Sequence, residues 1–404
     1  MTTDRTYCFS LKHDDRFWVL SQEAGSVYTQ SLNAFWKHYN ETGIWLSKFE
    51  LQAHMKDKIE RKLLHSDSFL AAMQQVHNNL ASWKEAKVVC PDAKAPYKEK
   101  FLQPIRFKQS QIHYKDGCLN LSLGTNEKGE RDYFSFLWNT ELPTPGYASI
   151  SYDKTKGWKL NIVMSFDEDT LRLNKKKSLS LDLGVKRLAT LFDGKDVITI
   201  SGKKLRGLTH YQNKIKGDLN SKLSKKVKGS KRSRKMKTGW RKKNARLQNI
   251  KKDILHKASR FVVDYAIERR IGNIIIGDCA SIHDGTNLGA KNNQQVQQNP
   301  EQKLKKLIEE KFNRISGGEN TFIVPEPYTS QKCPCCENRH KPKNRLYECT
   351  NEKCGFVYDR DGVGAINIFN ENVSFGVVKP GRIRLLTRPV GLKFSNSNQL
   401  LFAA

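Results

Sequence analysis

Two groups of side chains in this sequence have the types and spacing that could do chemistry. The first is cysteine. Cys333-Pro-Cys-Cys336 and Cys349-Thr-Asn-Glu-Lys-Cys354 offer two pairs of thiols within one short segment. Tetrahedral zinc takes four soft ligands, and short knuckles of this kind supply two each. Four thiolates leave no open coordination position, so the zinc expected at Cys333, Cys336, Cys349 and Cys354 is structural. Cys335 competes with Cys336, because a C-x-C pair is also on offer, and a disulfide pair is the alternative to a metal. Cys8, Cys90, Cys118, Cys279 and, if Cys336 is the ligand, Cys335 follow no pairwise pattern and read mostly as small buried apolar residues. The second group is carboxylate. Cleaving a phosphodiester with two divalent cations needs several carboxylates around ions about 4 Å apart. Asp182 closes the apolar run Ser178-Leu-Ser-Leu-Asp182-Leu-Gly184, and Asp361 opens a last helix in Asp359-Arg360-Asp361-Gly-Val-Gly-Ala-Ile-Asn-Ile368.

Such acids act together only if the elements that carry them converge. From Lys177 onward the pattern gives a strand to Asp182, then Leu188–Phe192 and Val197–Ile200 as its hairpin neighbours. A long basic helical region, an apolar run Asn273–Asp278, a helix near Gln302–Phe312, an apolar run Thr321–Val324 and a helix near Gly362–Phe369 follow. This β-β-β-α-β-α-β-α order is that of the RNase H fold, a mixed α/β sheet whose strand ends bring acids to one edge. Before it, residues 26–87 carry helical apolar spacing (Phe69, Met73, Val76, Leu80, Trp83), and 104–166 read as β, with Asp116-Gly117 and Lys156-Gly157 as hairpin turns. These pieces suggest a small antiparallel β-barrel with helices inserted. The tail after Asn370 is polar, basic and without an assignable element.

Charge names the partner. Lys and Arg number 71 against 41 Asp and Glu, a net +30 that a polyanion would relieve. Residues 203–260 alone hold 22 Lys/Arg against Asp218 and Asp253. Tyr211, Ile215, Leu219, Leu223 and Val227, then Leu247, Ile250, Ile254, Ala258, Phe261 and Tyr265, recur at helical spacing, with Gly229 and Gly239 bracketing the join. Two amphipathic helices with basic outer faces fit this pattern. Lys225, Lys226, Arg232, Arg234, Lys235, Arg241, Lys242 and Lys243 are the candidate phosphate contacts. No run of 18 apolar residues marks a membrane span and the start has no apolar leader, so the expected location is cytoplasmic and nucleoid-associated, nuclear only if the source is eukaryotic.

The blocks LDLGVKRLATLFDG (181–194), LHKASRFVVDYAIE (255–268), YTSQKCPCC (328–336) and YECTNEKCGFVYDRDGVGAINI (347–368) closely resemble the TnpB family, relatives of the type V CRISPR effectors. The resemblance implies an RNA-guided DNA endonuclease that loads a guide RNA from the transposon end and cuts double-stranded target DNA beside a short adjacent motif. It implies a two-metal Mg2+ site, a structural Zn2+ and a monomer. The implied organisation is a wedge β-barrel of the oligonucleotide-binding type (1–25 and 104–170) with a helical recognition insert (26–103). A RuvC-like nuclease follows (171–327, basic helices 203–268), then a zinc-ribbon insert (328–357), a final RuvC helix (358–371) and a basic tail (372–404). By position the catalytic acids are Asp182 and the second aspartate of the DRD triplet, Asp361. Two positions depart from the family pattern. Its fourth strand usually ends in a catalytic Glu before Asp, and here Gly277-Asp278 stands there. Val363-Gly364 replaces the usual Asn-Ala. Some relatives, including those nearest the Fanzor proteins, pair this Gly-Asp with a Glu just before Tyr-Thr-Ser, which makes Glu326 the third expected ligand and Asp278 an auxiliary candidate. A nuclease-dead RNA-guided DNA-binding repressor is the alternative function. A transposase is a weaker reading, since no separate helix-turn-helix module is visible.

Overall fold

The structure is a computed structural model that describes residues 2–55, 58–125, 129–138, 142–143, 145–167, 169–278, 298, 300–373, 381, 383 and 388–402. The chain divides into two compact units, Thr2–Asp167 and Glu168–Ala404. Cys279 lies outside the described residues, as does much of the tail.

In the first unit, strand β1 (Thr2–Ser10) leads into helices α1 (Asp15–Thr42), α2 (Lys48–Met55) and α3 (Ser66–Val89), and six strands follow. These are β2 (Ile105–Lys108), β3 (Ile112–Lys115), β4 (Cys118–Thr125), β5 (Arg131–Leu137), β6 (Tyr147–Asp153) and β7 (Gly157–Asp167). Among the described residues the strands pair as two antiparallel sheets, β1-β7-β6-β2 and β3-β4-β5. One core, including Phe17, Tyr28, Phe35, Phe107, Leu119 and Ile162, joins sheets and helices. Asp116 and Gly117 both take positive φ (53° and 72°), the geometry that a two-residue hairpin turn demands. The helical segment starts at Asp15 rather than residue 26. Asp14 caps it by accepting from the Arg16 N–H at 2.9 Å. Gly25 interrupts the sequence pattern for a packing reason: a Cβ there would lie 2.5 Å from the Lys100 carbonyl oxygen, so the returning chain crosses α1 at that point. Cys8 and Cys90 are exposed and Cys118 half-buried, so none of the three is the buried apolar residue expected.

The second unit is built on a seven-stranded sheet. β8 (Asn174–Leu183), β9 (Arg187–Phe192) and β10 (Val197–Ser201) form antiparallel pairs. β11 (Ile271–Asp278) pairs parallel with β8, and β12 (Thr321–Pro325) parallel with β11. The order β12-β11-β8-β9-β10 is the RNase H topology. Two further strands were not foreseen: β15 (Val390–Phe394) pairs parallel with β10, and β16 (Leu400–Phe402) pairs with β15. The expected basic tail therefore contributes ordered sheet.

Between β10 and β11 run α4 (Lys203–Ser224) and α5 (Lys231–Glu268). The join falls at residues 225–230, where Gly229 has φ +85°, while Gly239 lies inside α5 and brackets nothing. Val227 sits in the turn and is exposed, so the α4 stripe ends at Leu223. The second half of α5 buries Ile254, Leu255, Ala258, Val262 and Val263 in the same core as α6 (Glu301–Ser316). A small hairpin, β13 (Leu346–Glu348) and β14 (Val357–Asp359), precedes α7 (Arg360–Asn372). The buried Ser180 hydroxyl donates to the Ala365 carbonyl at 2.6 Å and fastens α7 over β8. Among the described residues no helix is long and apolar enough to cross a membrane.

Candidate active site and metal centre

Because β8, β11 and β12 run parallel, their C-terminal ends open on one edge of the sheet. Asp182 is the penultimate residue of β8, Gly277 that of β11, and Glu326 directly follows β12. Glu326 is only 8% exposed. A Cβ built on Gly277 would lie 1.8 Å from Glu326 Oε2 and 2.7 Å from its Cδ. The Glu326 carboxylate thus fills the space that a side chain at 277 would enter. Gly364 on α7 plays the matching part for Asp182, since a Cβ there would lie 2.4 Å from Asp182 Oδ2. Both departures from the expected family pattern are glycines that make room for an acid.

Burial, joined by the negative charges of Glu326, Asp361 and Glu301, pushes the Asp182 carboxyl well above the usual carboxylate range. Arg360 opposes this only in part. The linkage sign follows. A carboxyl whose folded value is raised stabilises the fold fully below the ordinary unfolded value of about 3.9 and loses that contribution as pH rises through the folded value. At neutral pH, without cations, Asp182 works against folding. Asp182→Asn is therefore expected to raise the melting temperature of chelator-treated protein by about 2–4 °C for each kcal/mol recovered. The gain should shrink as the buffer is acidified and also on adding divalent cation. Equal melting temperatures at all pH values would contradict the crowding.

The DRD triplet divides its labour. Asp359 caps α7, accepting from the Asp361 and Gly362 N–H groups at 3.0 and 3.1 Å, and takes both terminal nitrogens of Arg187. Asp361 is a quarter exposed and meets Arg345 and Arg187, the latter at 3.4 Å. Asp278 turns to Lys305 of α6, which is 2% exposed and also meets Glu301 at 3.2 Å. Glu326 and Asp278 thus sit in different surroundings although their strands are neighbours. Asn367, nearly buried, donates to the Thr329 and Lys332 carbonyls at 2.7 Å each and pins α7 to the segment that joins Glu326 to the cysteines. Lys305, Arg187, Arg345 and Asn367 escaped the sequence reading. Only Asn367 left a signal there, as a polar residue inside the apolar run of α7.

Among the described residues, only Cys333, Cys336, Cys349 and Cys354 bring ligand atoms close enough to share one ion, all within 4.8 Å of one another. The Cys333–Cys354 and Cys336–Cys349 sulfurs lie 3.8 and 3.5 Å apart. Zinc–sulfur bonds of about 2.3 Å give a tetrahedron with edges of about 3.8 Å, so the donors fit zinc. Cys335 stays outside the cluster, which selects the C-x2-C knuckle. The expected elemental result is one zinc per chain, retained by Cys335→Ser and lost by Cys336→Ser. The reverse pattern would make the knuckle C-x-C. The three acids do not form a single-ion cluster, whereas a two-ion site spreads its carboxylates over a wider span. Lys225, Lys226, Arg232, Arg234, Lys235, Arg241, Lys242 and Lys243 are all exposed, on the α4–α5 turn and the first half of α5.

Strand order, an acid-bearing sheet edge and a four-cysteine insert define an RNase H-like fold with a metal-binding cysteine cluster. A solved Cas12f1 chain, in complex with sgRNA and target DNA, superposes with a TM-score of 0.62 at 15% identity, over 89% of this chain and 83% of that one. CasPhi-2 (Cas12j) bound to crRNA gives 0.50 at 9% identity, over 93% and 98%. Residues 161–283 match the OrfB_IS605 family model, described as a probable transposase, and 302–368 match the Cas12f1-like TNB domain. A TnpB-like protein of Methanocaldococcus jannaschii is 28% identical over 225 residues, 54% of this chain and 77% of that one. Over these residues the chain is similar to the TnpB family and, in fold, to the type V effectors.

Proposed function

We propose that this chain is an RNA-guided DNA endonuclease that takes its guide from a transposon-end RNA and cleaves target DNA beside a short adjacent motif. One observation carries the nuclease reading over the repressor reading: the buried Glu326 carboxylate occupies the space left by Gly277, next to the end of the strand that carries Asp182. A protein without metal chemistry has no reason to crowd acids at a buried edge, where each charge costs stability. Asp182, Glu326 and Asp361 would hold Mg2+, their hard oxygen donors suiting that ion. Bound there, the metal would activate water and stabilise charge on the phosphate. The four cysteines would hold structural zinc, and the first unit would supply the wedge and the helical recognition element.

The exposed basic residues of the α4–α5 hairpin would follow phosphates. Reversing Lys225, Lys226, Arg232, Arg234 and Lys235 to glutamate is expected to lower the slope of log affinity against log salt by about 4, at about 0.7–0.9 for each phosphate no longer neutralised. An unchanged slope would remove the hairpin from the interface. The test of the whole reading is to purify the chain with its cellular RNA, sequence that RNA, and offer a matching DNA with Mg2+ or Mn2+. Guided cleavage is the expected result. Guided binding without cleavage in either ion would favour the repressor.

A further inference from the structure

The cleft between α4, α5 and the residues that lead into and open α6 (Gln298, Pro300 and Lys303) is a different surface from the exposed basic turn. It encloses about 410 Å³, within the range of about 300–1,000 Å³ typical of small-ligand sites. Its floor is apolar, from the buried Leu205 and Leu255, and the half-buried Trp240 forms a wall. The remaining lining is unusual for a helix pair. It is made largely of amides, among them Gln212, Asn244 and Gln248, and of lysines, including Lys216 and Lys252.

We propose that this cleft receives one unpaired nucleotide of a bound nucleic-acid strand, with the base against Trp240 and Gln248 and the phosphates at Lys216 and Lys252. The inference rests on the nucleic-acid reading above and adds a receptor for a base to a surface read so far as following phosphates. Side-chain amides present a donor and an acceptor together, the pattern that matches a base edge, and an indole face stacks on any base. Lysines at the rim suit the attached phosphates. A plainer account is that the amides only zip the two helices together. It holds for part of the set: Gln212 Nε2 donates to Asn244 Oδ1 at 2.5 Å, and Lys251 Nζ donates to Gln212 Oε1. Those bonds fix the separation of the helices and hold the cavity open. Among the described residues they leave the Trp240 indole N–H and the Gln248 amide uncommitted, and both line the space.

The experiment uses the full chain purified with its cellular RNA. Short-wavelength ultraviolet crosslinking and peptide mass spectrometry are run on the complex alone and after adding target DNA. The expected result is a nucleotide adduct on Trp240 or within 244–252, and the arm in which it appears assigns the strand to RNA or DNA. Affinity for that strand should fall about 10-fold in Trp240→Ala and in Gln248→Ala, the scale of one stacking or base-edge interaction, with an unchanged salt slope. Trp240→Phe should keep most of it. Lys252→Ala should lower the slope by about 1. Thermal melts confirm that each variant is folded. Absence of any adduct in the cleft, or affinity within about 2-fold of the parent for folded Trp240→Ala, overturns the receptor. A parent chain that binds no nucleic acid instead overturns the broader reading on which it rests.

Discussion

Substituting alanine for Gly277 is expected to lower target cleavage by roughly 100-fold or more while guided target binding changes by less than about 3-fold. The reason is steric. A methyl group at 277 would stand 1.8 Å from Glu326 Oε2, far inside any non-bonded approach, so the Glu326 carboxylate has to leave. Backbone strain does not contribute, because Gly277 is extended strand without positive φ, and the change removes conformational freedom from the unfolded chain. Glu326→Ala should lose cleavage to the same degree. The double variant should be no worse than either single one, since both remove the same acid. Gly277→Glu should not rescue Glu326→Ala, because its carboxylate would extend two to three bonds past the point that Glu326 Oε2 now occupies. Asp278→Ala should cost much less in cleavage, as its carboxylate is engaged by Lys305. Normal cutting by Glu326→Ala together with loss in Asp278→Ala would return the third ligand to β11. Normal cutting by Gly277→Ala would refute the steric account.

What the sequence revealed, and what it hid, follows from where the determining contacts lie. The end of β8 at Asp182 is written locally, in an apolar run followed by Gly184. The cysteine cluster is likewise written in two short knuckles, and the structure brings together the four thiols that spacing selected. The hairpin at Asp116-Gly117 is legible because only a few residues take positive φ cheaply. Other features depend on partners distant in sequence. β15 carries little strand signal of its own and exists because Val390 meets Ile198 across the sheet. Gly239 looks like punctuation, yet α5 runs through it, since flanking helix formers and the packing of its second half outweigh the cost of one glycine of about 1 kcal/mol. The exchange of an acid between Gly277 and Glu326 was legible through the family resemblance, but that the Glu326 carboxylate fills the space beside Gly277, and that Gly364 makes room for Asp182, was not, because a missing side chain shows its steric meaning only once the fold sets the acid against it. Lys305 looked like one more cation in a basic chain, and only the fold sets it beside Asp278 and Glu301.

The two aspartates of the DRD triplet should fail in opposite ways. Asp361→Ala is expected to abolish cleavage, roughly 100-fold or more, and to leave the melting temperature and guided binding near those of the parent. Its carboxylate is partly exposed and its ion pairs to Arg345 and Arg187 are worth little to stability in water. Asp359→Ala should instead destabilise the fold. It removes the cap that satisfies two N–H groups at the start of α7, a loss of about 0.5–2 kcal/mol, and leaves the partly buried Arg187 without its forked partner. Its cleavage defect should be the smaller of the two and should lessen on cooling, since the acid at 361 is still present. Asp359→Asn, which keeps an oxygen to accept from the helix N–H groups, should recover much of the melting temperature, whereas Asp361→Asn should recover no cleavage, because an amide is a poor ligand for a hard dication. Thermal melts and single-turnover cleavage on the same four proteins decide the matter. A stable but inactive Asp359→Ala beside an active Asp361→Ala would exchange the two roles.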